Sequence, residues 1–465
     1  MKYLTSSLIL IFLILRIISS LKFQLHPDET YYWLWSERLD FSYFDHPPMV
    51  AYIIKLTTLF KNTEFFVRFS SIVFYIIFNF FLYKLVKKFF NKEVAYLTIF
   101  IFNIFPLNSL GFIITPDIPL LFFTILFLYF LIFAFEENRF IYWILVGIFG
   151  GFALLSKYNG ILLIICMFLS IIFIKEYRKY FFSLNPYISL ILSFLIFLPV
   201  IIWNYDHNWI SFKYQFFHGL PQKSGSLNNI ITYIAGQISS LGIFLGIICF
   251  YVLFRSIFIK DKKIKFFSIF GFFPILFFGL TSYKNVAEMN WPLCAYPAVS
   301  LLVANYFVDK QKLKKIFLFP SSIFCLIIIL IMYLHGLFRI IPLEKINPVW
   351  TLTDPTNWFY GWKEFTEILK KENLEYPIFT TNHQLACQLL YYSNKNLNIF
   401  YNEQQFYIWN KDENIPDKFY FINYESDVKT PSPQQKNFKS QFVKSFNMFR
   451  KGYRIRTYNL FLCTK

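Results

Sequence analysis

Apolar residues run through this chain in long blocks separated by short polar breaks. Eleven blocks stand out: 4–22, 66–83, 94–112, 118–135, 141–155, 160–174, 186–203, 229–254, 266–281, 293–307 and 316–338. A helix crossing a bilayer takes about 20 mostly apolar residues, and the longer blocks reach that length. In lipid every backbone N–H and C=O needs an internal partner, so blocks of this kind form helices. The pattern therefore predicts a mainly α-helical, polytopic membrane bundle with about 11 transmembrane helices. The first block follows MKY and carries no clear small-residue cleavage site. It reads as an uncleaved first span that also targets the chain to the membrane.

Two stretches break this pattern. Residues 26–48 read HPDETYYWLWSERLDFSYFDHPP and gather two histidines, five acids and an arginine. Within DETYYWLWSERL the aromatic residues recur at helical spacing with polar residues between them, which suits a helix lying in the membrane interface. The prolines after His46 stop any helix and hold Asp45 and His46 at a bend. The second break comes at about Pro342. Beyond it the chain is polar, with turn signals (DPTNW, NIPDK), a helix-like stretch (361–373) and strand-like ones (YPIFTT, KFYFINY). Residues 1–341 read as the membrane domain and 342–465 as a small α/β domain, with SPQQKNFKSQ as a loop. No internal repeat stands out.

Charge fixes the expected orientation. Charged residues make up 15% of the chain, where soluble domains carry about 25%. The net charge of +18 invites a nucleic-acid reading, but the basic residues cluster in short loops between apolar blocks. With Met1 in the cytoplasm the inner loops hold 17 basic residues and the outer loops 7, the bias that sets membrane topology. This orientation puts the C-terminal domain on the outer, periplasmic side of an inner membrane and argues against nucleic acid as a partner. The six cysteines show no paired spacing.

The same orientation collects acids, histidines and isolated lysines on the outer side: Asp28, Glu29, Asp45, His46, Asp117, Lys157, Asp206, His207, His218, Lys284 and Glu288. Ionisable groups at membrane depth are costly and commonly functional. Each also has a plain structural reading. Asp28 follows Pro27 at a helix start and suits an N-cap as well as it suits a catalytic acid. Asp117, between Pro116 and Pro119, has the same look. Lys157 stands at a span end, where lysines snorkel. His207 and His218 are candidate metal ligands, but their separation gives no helical pair. Lys284 and Glu288 have the spacing of a helical ion pair. As a set, one carboxylate, several cations and an aromatic groove suit sugar transfer from a lipid phosphate. The departing phosphate needs cations, and the attacking hydroxyl needs a carboxylate.

HPDETYYWLWSERLDFSYFDHPPMVAYI, ITPDIPLLFF, LLSKYNGILL, WNYDHNWISFKYQF, KNVAEMNWPLCAYPA and DPTNWFYGWKE occur in the order of motifs of bacterial membrane glycosyltransferases. The chain resembles the family 39 and protein-mannosyltransferase-like group, which includes relatives of the aminoarabinose and galacturonic acid transferases that modify lipid A. The resemblance implies a GT-C fold, with a membrane helix bundle, interfacial helices in the first outer loop and an outer domain. It also implies a polyprenyl-phosphate sugar donor, an inverting displacement, and a lipid A, envelope-glycan or protein acceptor. Asp28 matches the family's first-loop catalytic acid. Asp45 matches an acidic position that helps bind a divalent metal in the aminoarabinose transferases, and His207 falls in the region of the other metal ligand. Those enzymes follow the acid with a lysine that contacts carrier phosphate, where this chain has His46 and a second proline. Lys157 and Lys284 are further candidates for that phosphate, from their side of the membrane. Glu29, Asp117, His218 and Glu288 complete the candidate set. Two other classes fit the composition: a transporter or flippase for lipid-linked sugars, and a membrane scaffold with a glycan-binding tail.

Overall fold

The computed structural model describes residues 1–465 apart from 220–224, 381, 402, 411–415 and 425–437, and apart from the side chains at 218, 219, 348, 349 and 351. The chain divides into two compact units that interleave in sequence. One comprises Met1–Ile18, Leu39–Thr57 and Arg68–Ile331; the other comprises Ser19–Arg38, Thr58–Val67 and Met332–Lys465.

The first unit is helical. Among the described residues, six helices are long and apolar enough to cross a membrane: Lys2–Lys22, Glu64–Phe89, Asp117–Glu137, Asn185–Asp206, Lys262–Thr281 and Gln311–Phe338. Helices Met49–Thr58, Phe140–Ser156 and Leu293–Phe307 are apolar but shorter. The Phe140–Ser156 helix packs on both Asp117–Glu137 and Asn185–Asp206. Small residues make this possible. A Cβ at Gly150 would lie 2.6 Å from Ser193 Oγ, and one at Gly151 would lie 2.7 Å from Ile196 Cβ. Ser189 and Ser193 then donate across the interface to the carbonyls of Trp143 and Gly147. Close approach of small residues with hydroxyl bridges is the usual solution where lipid tails remove the hydrophobic drive.

Two expected spans differ from a continuous helix. The 229–254 block is two helices, Leu227–Ser240 and Ile243–Ser256, meeting at 110°. Gly242 makes the corner at φ +89°, and a Cβ there would sit 2.2 Å from Cys325 Sγ, so only glycine fits without a shift. The 94–112 block is helical over Lys92–Asn103 and continues as a 3₁₀ turn over Pro106–Leu110, after Pro106 interrupts the hydrogen-bond ladder. Another bent pair joins Tyr158–Phe173 to Lys175–Phe182 at 109°.

The second unit holds a five-stranded sheet: β1 (Ile378–Thr380), β2 (Ile399–Phe400), β3 (Lys418–Tyr424), β4 (Lys439–Arg450) and β5 (Tyr453–Thr464), in the order β2-β1-β3-β5-β4. β1 runs parallel to β2 and β3, and β5 is antiparallel to β3 and β4. The β4–β5 turn has positive φ at both Lys451 and Gly452, the twist that a tight hairpin favours. Helix Trp362–Lys371 covers the sheet, with Phe365 stacked on Tyr458 at 3.6 Å. Of the expected loop SPQQKNFKSQ, residues 432–437 lie outside the described residues, and its end opens β4.

The first-loop helix also belongs to this second unit. Pro27–Glu37 is helical, as its pattern predicts, but its burial is not one-sided. Residues from Glu29 to Ser36 are all buried, including Trp33 and Trp35 at 1% and 0% exposure. This helix is enclosed by protein, and it packs on helix His383–Tyr392.

Candidate active site

Asp28 takes its setting from the way its helix begins. The N-cap is His26, not Asp28. The Nδ1 of His26 accepts from the Asp28 amide at 3.3 Å, and Glu29 Oε2 accepts from the His26 amide at 2.8 Å. This is a capping box with Pro27 at the first helical position. Glu29 is 0% exposed and is used in the cap. The Asp28 carboxylate is therefore released from capping. It lies in the first helical turn, where the helix dipole favours an anion, and its side chain is 39% exposed.

One face of helix His383–Tyr392 holds the approach to Asp28. Gln384 Nε2 donates to Asp28 Oδ1 at 2.9 Å. Gln388 Nε2 donates to the Leu25 carbonyl at 2.8 Å, and the Leu25 amide donates to the Tyr392 hydroxyl at 2.8 Å. These three residues are spaced four apart, so they share a helix face. His383 packs against Tyr31 at 4.5 Å. Burial pushes its pKa down to about 4, while the Asp28 charge works in the opposite direction. The imidazole is thus neutral at pH 7. The DPTNWFYGWKE segment closes the other side: Trp358 and Phe359 lie about the His26 ring, and Gln24 Oε1 accepts from the Trp362 amide at 2.9 Å. Chemically, Asp28 is an oriented carboxylate with one oxygen held by an amide and the group partly open to solvent. Such a group can accept a proton from a hydroxyl.

The remaining candidates lie in the first unit. The Tyr43 amide donates to the His46 carbonyl at 3.2 Å, which forms the expected bend. The Asp45 carbonyl accepts from Gln215 Nε2, and Phe44 packs on Tyr214 at 4.7 Å. Burial pushes the Tyr214 hydroxyl up to about 12, and the Asp45 charge adds to this. The WNYDHNWISFKYQF motif thus grips the FDHPP bend. His207 caps the Asn185–Asp206 helix, stacks on Trp203 at 4.0 Å, and its Nδ1 lies 2.8 Å from the Trp203 carbonyl. With the proton on Nδ1 for that bond, Nε2 keeps a lone pair. The side chain of His218 lies outside the described residues.

Asp117 and Lys157 meet each other. Lys157 Nζ lies 2.8 Å from Asp117 Oδ1, and Asn290 Nδ2 donates to Asp117 Oδ2 at 2.7 Å. Asp117 is the first residue of its helix and makes no capping bond, and Lys157 is 5% exposed where snorkelling would leave it open. A buried pair of this kind is held mainly by mutual dependence. Removing one partner strands the other, at a cost of roughly 3–5 kcal/mol. Lys284 and Glu288 are exposed, and the backbone over 282–292 is turns and irregular chain, so the helical pair expected from their spacing has no helix to stand on. Among the described residues, no three His, Cys, Asp or Glu side chains gather closely enough to hold a metal ion.

His26 and Gln384 carry no marker in the sequence. Gln384 lies 356 residues beyond Asp28, and only a known pairing of the two helices would have pointed to it.

Residues 45–203 match the family described as dolichyl-phosphate-mannose-protein mannosyltransferase, a segment that includes Asp45, His46, Asp117 and Lys157. The chain is 24% identical over 283 residues to the lipid A galacturonosyltransferase RgtD of Rhizobium johnstonii, a match spanning 59% of this chain and 59% of that protein. Its fold is similar to that of ArnT from Cupriavidus metallidurans in the apo state, with a TM-score of 0.67, 13% identity, and coverage of 99% of this chain and 98% of that one. The same protein bound to undecaprenyl phosphate matches with a TM-score of 0.67 and 12% identity, over 98% and 97% of the two chains. The ordered motifs and the membrane helices are thus matched by likenesses that all fall among membrane glycosyltransferases, and the chain shares the fold of ArnT.

Proposed function

We propose that this chain transfers a sugar from a polyprenyl-phosphate donor to a hydroxyl on an envelope lipid, glycan or protein, with Asp28 as the base. The acceptor oxygen attacks the anomeric carbon, the bond from that carbon to the phosphate oxygen breaks with inversion, and the hydroxyl proton passes to Asp28. The observation that carries this reading is the Asp28 carboxylate itself: held by Gln384, spared from capping and partly exposed. The likeness to RgtD, a lipid A galacturonosyltransferase, and to ArnT bound to undecaprenyl phosphate supports the donor class and an envelope acceptor. The leaving phosphate needs cations. We assign His46, Lys157 and Lys284 to that side, with the charge of Lys157 partly offset by Asp117. The reading includes eleven crossings, a cytoplasmic N-terminus and a periplasmic 342–465 domain, supported by the loop charge bias.

The test is Asp28→Asn in the full chain, reconstituted with a polyprenyl-phosphate sugar. General-base loss costs about 10²–10⁴-fold in rate, and we expect a fall in that range with an unchanged melting midpoint. Wild-type transfer by the variant would remove Asp28 from the chemistry.

A divalent metal at Asp45 and His207 follows from the resemblance. These two side chains supply fewer donors than a protein metal site commonly uses, and no step above runs through an ion. Loss of transfer on exhaustive chelation, restored by Mg²⁺ or Mn²⁺, would support a metal. Transfer that survives chelation would discard it.

A further inference from the structure

Arg16 sits in the apolar Lys2–Lys22 helix, inside a candidate membrane span, and is 7% exposed. An unbalanced guanidinium at such a place is expensive and calls for a partner. The first unit supplies only part of one. One terminal nitrogen donates to the Asn108 carbonyl at 2.7 Å, and the group lies 4.4 Å from the centre of the Tyr75 ring. Among the described residues no carboxylate pairs with it, and its Nε has no hydrogen-bond acceptor. The guanidinium also lies against Gly111, where a Cβ would fall 2.6 Å from Nη1.

These groups border a cavity of about 70 Å³. One water needs about 10–15 Å³, so there is room for several waters or one small anion, but not for a sugar. Arg16, Asn108 and Gly111 form its polar end, and Phe74, Phe102 and Phe122 are among its walls. The combination is a fixed cation with spare donors at the end of an apolar slot. Guanidinium donors match phosphate oxygens in fork geometry. Apolar walls favour a phosphate that arrives with a hydrocarbon chain over one that arrives alone.

We infer that the Arg16 cavity binds the phosphate of an anionic lipid headgroup, at a site that uses none of the residues assigned to transfer. The anion supplies the counter-charge that the protein leaves out.

The experiment uses the full chain, purified and delipidated in neutral detergent. It is then offered phosphatidylglycerol, phosphatidylcholine or inorganic phosphate, and bound adducts are counted by native mass spectrometry. Wild type should retain phosphatidylglycerol above phosphatidylcholine. Arg16→Gln should lower that retention roughly tenfold or more, the scale of a charge-assisted hydrogen bond. Gly111→Ala keeps the charge but crowds the guanidinium, so it should also reduce retention, and it serves if Arg16→Gln does not fold. Equal retention of phosphatidylglycerol by wild type and either folded variant would overturn the site. Retention of inorganic phosphate without lipid would overturn the lipid as its source.

Discussion

Asp28 owes its availability to its neighbours. His26 and Glu29 take over the helix cap, and Gln384 fixes one carboxylate oxygen. His383, beside this group, gives a pH signature. Its pKa is held down to about 4, against an ordinary value near 6.5, chiefly by burial. A histidine whose folded pKa is depressed stabilises the fold fully above the unfolded value. That contribution fades as pH falls from about 6.5 toward 4, because the unfolded chain takes up the proton first. The full loss is about 3 kcal/mol. Melting of the full chain between pH 7.5 and 4.5 should therefore show an acid-side drop that His383→Phe flattens. An unchanged slope in the variant would show that other groups cause it. The sequence marked Asp28 correctly as a helix-start residue but could not say which side chain caps. Histidine is a rare cap, and aspartate two positions later is the stronger statistical candidate. The hydrogen bond from Gln384 decides what the local sequence leaves open.

At the scale of elements, hydrophobic blocks located the helices well and their continuity poorly. Block 229–254 has no proline, and its composition reads as one span; the 110° corner comes from Gly242, whose left-handed φ has no hydropathy signal. The Lys92–Asn103 helix ends where Pro106 forbids its continuation, which the apolar run concealed. Polar residues at block ends were harder still. Asp117 and Lys157 each look like an ordinary end-of-helix residue when read alone. Their partnership is set by which helices pack side by side, and that depends on the small residues of the Phe140–Ser156 helix as much as on any charge. Spacing misled in the other direction at Lys284 and Glu288, four residues apart on a backbone that has already left the helix.

At the scale of the whole molecule, chain order and structural order diverge. The first loop looks like an appendage of the membrane domain, yet Ser19–Arg38 folds with Met332–Lys465. The hydrogen bonds that hold residues 25–28 come from helix His383–Tyr392, and the aromatic packing on Tyr31 and Trp33 comes from His383 and Tyr391. Ending the chain after Pro342 would remove all of these at once. An 11-residue helix has little stability in water without tertiary packing, so Pro27–Glu37 should fray. Its aromatic residues Tyr31, Tyr32, Trp33 and Trp35 are at most 8% exposed in the complete chain. Chymotrypsin should therefore cut within 31–35 in the truncated protein, reconstituted in vesicles, and spare that segment in the full chain. The same truncation should abolish sugar transfer, because the carboxylate loses its fixed orientation while every residue of the first loop is still present. Equal protection of residues 31–35 in the two proteins would mean that the loop helix is held by contacts other than those from the C-terminal segment.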